Sequence, residues 1–234
     1  MSRDRIGIVG YGNVGTEVSE LAVRAHINTA VYDPPKGLDD KETLNNECDV
    51  AFLCLPTPKR EDGDWLDTAL VWEAIEWLSV PLIIIRSTVN VGATGIWYYK
   101  SGKEICYSPA WGPGSTVNHP FAETRQDPFV VIGGTGTSRR GAIEVYKHLY
   151  PSTVKFLQMS STEAEILKLA ENAFLGMRVI FFQELANICD AHGADYYTVR
   201  EALGEDFRIG LSHSFPMGGY DSHCLNKDIS AYVA

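Results

Sequence analysis

Basic residues are scarce in this chain: 20 Lys and Arg stand against 30 Asp and Glu, for a net charge of −10 and a pI near 5.0. That balance cannot supply the basic face that nucleic acid or an anionic membrane surface requires, so neither partner is expected. Cysteine is sparse too. Its five copies, at positions 48, 54, 106, 189 and 224, are odd in number and lack C-x-x-C spacing. Such scatter reads as reduced thiols in a cytoplasmic protein, with neither a disulfide frame nor a metal site. Long apolar runs are missing, and the longest, such as 80–85, is too short to cross a bilayer. The opening Met-Ser-Arg-Asp-Arg leads straight into an apolar stretch with no signal-peptide pattern. Internal repeats, low-complexity tracts and charged tails are absent. What remains is 234 residues with ample material for a core.

Residues 6–15 read Ile-Gly-Ile-Val-Gly-Tyr-Gly-Asn-Val-Gly, and Asp33 follows the last glycine by 18 positions. The parts make one physical device. An apolar strand enters Gly10-Tyr11-Gly12-Asn13-Val14-Gly15, where the first glycine permits a tight turn. The second lets a pyrophosphate approach the backbone, and the third lets the next helix pack close to the strand. The helix N-terminus offers free N–H groups and a partial positive charge to the phosphates. Asp33, ending the stretch Thr29-Ala-Val-Tyr-Asp, is placed to accept the ribose hydroxyls of an adenosine. Its carboxylate repels a 2′-phosphate, so the expected cofactor is NAD and not NADP.

From residue 1 to 159, apolar strands expected at 6–9, 29–32, 49–55, 82–85, 104–107, 129–132 and 154–157 alternate with amphipathic stretches such as 14–25, 65–78 and 138–149. Near-continuous apolar strands suit a parallel sheet buried on both faces. The reading is an α/β chain: a Rossmann-like, doubly wound NAD-binding domain over 1–159, then a helical domain over 160–234 built on one long central helix. Ser160-Ser-Thr-Glu163 is a capping box, and Gly193 is the natural stop of the helix it opens. Residues 174–182 of that helix are apolar nearly all round. One short helical domain cannot cover them alone, which points to a homodimer built around this helix.

Lys168 and Asn172 lie four residues apart and share one helix face. Taken alone, the pair also fits a surface lysine beside an unremarkable asparagine. Their neighbours Ile166, Leu167, Leu169, Ala170 and Ala173 make a free ammonium there unexpected. Cys224 is followed by Lys227 and Asp228; it reads either as a buried thiol or as a thiolate whose pKa is lowered near a helix start.

The ordered segments Glu165-Ile-Leu-Lys168-Leu-Ala-Glu-Asn172, Phe182-Gln-Glu-Leu-Ala-Asn187, Asp206-Phe-Arg208-Ile-Gly210 and His223-Cys224-Leu-Asn-Lys227-Asp228 resemble the nucleotide-sugar dehydrogenase family. So do the glycine fingerprint, Cys54-Leu-Pro56-Thr57-Pro58 and Arg86-Ser-Thr88-Val-Asn-Val-Gly92. The resemblance implies oxidation of a nucleotide sugar's primary alcohol to a carboxylate with reduction of two NAD⁺. It implies that Cys224 captures the aldehyde as a thiohemiacetal and then carries a thioester. Lys168 stabilises oxyanions, Asn172 orients the reacting oxygen or water, and Asp228 assists proton transfer. Thr88 positions a water, Arg208 reaches the sugar, and Pro56, Thr57 and Thr88 join the glycine loop in holding NAD.

Three departures stand out. The family's Ser/Asn-Pro-Glu-Phe is here Ser108-Pro109-Ala110-Trp111, so a methyl group replaces the acid credited with activating water. Asp221-Ser222 replaces the small glycine pair before the cysteine, and Asn226 replaces a proline. The sequence stops at Ala234, where relatives continue into a further nucleotide-binding domain. A separate chain supplying that domain is therefore one expected partner. Two other readings stay open: a dehydrogenase of the 6-phosphogluconate or β-hydroxyacid type, which pairs a lysine with an asparagine but needs no cysteine, and an NAD-binding module without catalysis.

Overall fold

The apolar strands divide their side chains between two cores, and that alternation fixes the layers. The structure, a computed structural model, describes residues 5–111, 129–216 and 225–233. The strands are β1 (Arg5–Val9), β2 (Asn28–Asp33), β3 (Leu38–Asp39), β4 (Val50–Leu53), β5 (Leu82–Ile85), β6 (Ile105–Tyr107), β7 (Phe129–Gly134) and β8 (Lys155–Met159). The helices are α1 (Asn13–Arg24), α2 (Lys41–Glu47), α3 (Ala69–Trp77), α4 (Ala93–Ser101), α5 (Gly136–Leu149), α6 (Ser161–His192), α7 (Tyr196–Gly204) and α8 (Leu225–Val233). The chain forms two compact units, one of residues 1–60 and 66–168, the other of 61–65 and 169–234.

In the first unit the strands join into one sheet in the order β3-β2-β1-β4-β5-β6-β7-β8. Along the central strands successive residues face opposite ways. Val9, Leu53, Ile83, Ile85 and Tyr107 enter one core with Leu44 of α2, Ile75 of α3 and Trp97 of α4. Ile8, Phe52, Ile84 and Cys106 enter the other with Val18 of α1 and Val145 and Tyr146 of α5. Each large side chain so buried contributes about 1.5–3 kcal/mol. The sheet is mostly parallel, as the continuous apolar strands implied, but β2 with β3 and β6 with β7 pair antiparallel. An antiparallel neighbour needs no crossover helix, which fits the lack of amphipathic period between 108 and 128 in the sequence.

The capping box forms as read. Ser160 N–H donates to Glu163 Oε2 at 2.7 Å, and Glu163 N–H donates to Ser160 Oγ at 3.2 Å. Helix α6 runs 32 residues, about 48 Å at the α-helical rise. It stops at Gly193, whose φ of 65° is open to glycine and strained for other residues. In the second unit Phe182, Ala186 and Cys189 of α6 pack with Tyr196 of α7. Asp195 caps α7 by accepting from Tyr197 and Thr198 N–H at 3.2 Å each. The stretch expected to be covered is open on this single chain: Phe174 is 55% exposed, Met177 60% and Phe181 55%.

Candidate active site

The glycine loop of the first unit has the geometry that its sequence demands. Gly10 adopts φ +89°, and a Cβ there would stand 2.6 Å from the Cys54 carbonyl oxygen. A Cβ at Gly15 would stand 2.0 Å from the Gly10 oxygen, so only glycine lets α1 sit this close to β1. At Gly12 a Cβ would meet nothing within 4 Å among the described residues. That position opens in front of the α1 N-terminus, which has no side-chain cap and no acid in its first turn. Orphan N–H groups, a positive helix end and open space together fit a pyrophosphate. Asn13 is exposed and Val14 half-buried at this mouth. Asp33, at the end of β2, accepts the Tyr11 N–H at 2.7 Å, which places its carboxylate beside the loop. The Lys36 ammonium donates to the Tyr11 carbonyl at 2.5 Å, so the loop is held from both sides. These residues fit the adenosine and pyrophosphate of NAD.

Thr57 is buried and donates from Oγ1 to the Thr88 carbonyl at 2.8 Å, which joins the loops after β4 and β5. Pro56 is exposed beside it. Buried Arg86 fastens the next loop from two directions: Nη1 donates to the Ser108 carbonyl at 3.1 Å, while the Arg86 carbonyl accepts the Ala110 N–H at 3.3 Å. Tyr146 Oη reaches Ser108 Oγ at 2.8 Å, and burial pushes the Tyr146 hydroxyl well above its ordinary pKa. The backbone at Ala110 is therefore held firmly although its side chain is only a methyl. The next residue, Trp111, carries an importance that sequence reasoning passed over. The Lys168 ammonium lies 4.9 Å over its ring centroid, a cation–π contact that holds a lysine only 8% exposed. Nothing local in the sequence links Trp111 to a lysine so far along the chain.

Asn172, one turn beyond Lys168 on α6, is 7% exposed. In the second unit its Nδ2 donates to Asp228 Oδ2 at 2.5 Å, and the Lys227 ammonium meets Asp228 Oδ1 at 2.6 Å. Asp228 is 1% exposed and its carboxylate is engaged on both oxygens. The close approach of α8 to α6 that permits this is made at Gly176, where a Cβ would stand 2.5 Å from Ile229 Cδ1. A glycine in mid-helix was the sequence signal for that contact. Arg208 is exposed and paired with Asp206, Nε to Oδ1 at 2.9 Å. Cys224, with Asp221 and Ser222, lies outside the described residues. Among the described residues no group of three or more His, Cys, Asp or Glu is placed to hold a metal ion, and no helix is long and apolar enough to cross a membrane.

Residues 162–234 match the model of the UDP-glucose/GDP-mannose dehydrogenase family, central domain. The chain is 30% identical over 210 residues to the UDP-glucose 6-dehydrogenase of Rhizobium meliloti, an alignment covering 83% of this chain and 47% of that protein. Among solved structures, the fold matches a UDP-glucose dehydrogenase from Pyrobaculum islandicum with a TM-score of 0.80 at 22% identity, covering 98% of this chain and 63% of that one. It also matches a GDP-mannose dehydrogenase from Pseudomonas aeruginosa with a TM-score of 0.71 at 22% identity, covering 90% and 59%. The chain spans about half the length of the curated relatives it matches, 47% and 44% for the first two. Its relatives in sequence and in fold are nucleotide-sugar dehydrogenases, and residues 162–234 match the model of that family's central domain.

Proposed function

We propose that the chain is an NAD-dependent oxidoreductase that converts the primary alcohol of a nucleotide sugar to a carboxylate through Cys224. The observation that carries this reading is the cradle at Gly10, Gly12, Gly15 and Asp33, which fits NAD and sits on the same chain as the central-domain match. When bound, NAD⁺ supplies the acceptor for the two hydrides that the oxidation releases.

The chain's own residues handle charge and protons. Asp228, with Asn172 and Lys227 on its oxygens, is suited to draw the alcohol proton through a short hydrogen-bonded path. Lys168, dried and stacked on Trp111, is suited to hold the oxyanion that forms when the Cys224 thiolate adds to the aldehyde carbon. Loss of the second hydride from that carbon leaves a thioester. Water aimed by Thr88 and Asn172 then adds, and the C–S bond breaks to release carboxylate and thiol. Arg208 is suited to the sugar's hydroxyls or phosphate.

The proposed assembly is a cytoplasmic homodimer. The support for a dimer is the run of exposed apolar side chains on α6, Phe174, Met177, Ile180, Phe181 and Ile188. Ala110 favours a second reading, an NAD-binding module without catalysis. The test is NADH formation over a panel of UDP- and GDP-sugars by the native chain and Cys224→Ser. The leading reading expects NADH from one of them and loss of turnover in the variant. Full NADH production by Cys224→Ser points to a dehydrogenase that needs no cysteine, and NAD binding without any NADH selects the second reading.

A further inference from the structure

Glu165 is a charged residue with no exposed surface at all, and nothing in the proposed chemistry uses it. Its carboxylate is spent on the start of another helix. Oε2 accepts the Gly92 N–H at 2.6 Å and Oε1 accepts the Thr94 N–H at 2.9 Å. Helix α4 begins at Ala93 behind Gly92, which has φ +87° and no side chain to serve as a cap. A helix start leaves several N–H groups without partners and carries a partial positive charge. Glu165 meets both needs from across the unit, as an N-cap borrowed from α6. Burying a carboxylate costs several kcal/mol unless it is hydrogen-bonded, so such a placement is retained where it fixes something.

What it fixes is the loop between β5 and α4. Ser87 Oγ donates to the Leu55 carbonyl at 2.7 Å, Thr57 holds the Thr88 carbonyl, and Asn90 exchanges two bonds of 2.9 Å with the Leu66 backbone. Those bonds tie the loop to the segments after β4. Glu165 ties its far end to α6, one turn before Lys168. The first turn of α6 is itself seated on β7, where a Cβ at Gly133 would stand 2.7 Å from the Ala164 Cβ. We propose that Glu165 is a positioning residue: it clamps the loop carrying Thr88 to the part of α6 carrying Lys168 and so sets their separation. For its kinetic consequence the inference rests on the dehydrogenase reading; for its structural content it does not.

The test compares the native chain, Glu165→Gln and Glu165→Asp by amide hydrogen exchange over residues 88–94, NAD affinity, and steady-state NADH formation with UDP-glucose. Gln keeps the shape but offers one acceptor and turns a donor toward the other N–H; Asp keeps the charge but is a methylene short. Expected for Glu165→Gln are cooperative unfolding, exchange at Gly92 and Thr94 at least ten-fold faster, and NAD affinity within two-fold of native. The kcat should fall ten-fold or more at unchanged KM for NAD, and Glu165→Asp should recover part of it. Unchanged exchange, or unchanged kcat despite faster exchange, overturns the proposal, as does a parallel loss of NAD affinity and kcat. If the native chain forms no NADH with any UDP- or GDP-sugar of the panel, the dehydrogenase reading falls. Faster exchange confined to 88–94 with NAD affinity retained then upholds the clamp, and unchanged exchange still overturns it. Should Glu165→Gln fail to fold, Glu165→Asp carries the same comparison.

Discussion

The Asn172 side-chain amide donates to Asp228 Oδ2 across 2.5 Å, from α6 to α8. A buried hydrogen bond to a charged group contributes about 1.5–3 kcal/mol, and an orphaned partner costs a similar amount. Asp228→Ala and Asn172→Ala should each lower the unfolding free energy by about 2 kcal/mol, with the double variant losing much less than the sum. Asn172→Asp should be the worst of the set, because it sets two carboxylates against each other. Denaturant unfolding checks this, and additive losses would show that the pair does not act as a unit.

Cofactor choice follows from Asp33. With its carboxylate beside the Tyr11 N–H at the end of β2, NAD should bind at least ten-fold better than NADP, about 1.4 kcal/mol. Asp33→Ala should erase most of that preference. Equal titration of the two dinucleotides by the native chain would remove Asp33 from the site.

Assembly is tested by sedimentation. The exposed Phe174, Met177 and Phe181 side chains should be covered in a dimer at micromolar concentration, and Phe181→Asp should yield monomer. A native monomer that binds no hydrophobic dye contradicts the expectation.

The thiols should differ sharply in reactivity. Burial pushes Cys48 up to about 11, and Cys54 and Cys106 up to about 12. At pH 8 only about one part in 10⁴ of a thiol with that pKa is the reactive thiolate. Iodoacetamide at pH 8 should therefore label Cys224 before Cys48, Cys54 and Cys106, which should react only on unfolding. Prior labelling of Cys54 at pH 8 would contradict the assignment.

Much of the first unit was legible because its rules are local. The glycine loop, the period of the strands and the Ser160–Glu163 box each state their structure within a few residues. The antiparallel β6–β7 pair was not, since strand direction depends on a connection whose pattern carries no period. Helices α2 and α4 were missed for a related reason. Residues 41–47 are short and polar, and α4 begins at a bare glycine whose cap, Glu165, lies 73 positions away in sequence. Within the candidate site, Lys168 and Asn172 could be placed on one face from spacing alone. The Lys168–Trp111 stack and the Asn172–Asp228 bond join distant segments, and only the second left a trace in the sequence, at Gly176 where α8 approaches α6. The open side of α6 lies along the apolar run at 174–182, where Phe174, Met177 and Phe181 stay exposed.

The central claim is oxidation through Cys224, and Ala110 makes its kinetics distinctive. General-base help of the kind a glutamate gives there is worth about 10²–10⁴-fold, roughly 3–5 kcal/mol of barrier. Without it, both hydride transfers should outrun hydrolysis of the thioester. The decisive measurement is stopped-flow NADH absorbance on mixing the native chain with NAD⁺ and its nucleotide sugar, followed by mass spectrometry of the peptide holding Cys224. The account predicts a burst of two NADH per subunit, a slow steady state, an acyl adduct of sugar-nucleotide mass on Cys224, and a faster slow phase in Ala110→Glu. Linear NADH formation at several turnovers per second from the first cycle, with no adduct on Cys224, would contradict it.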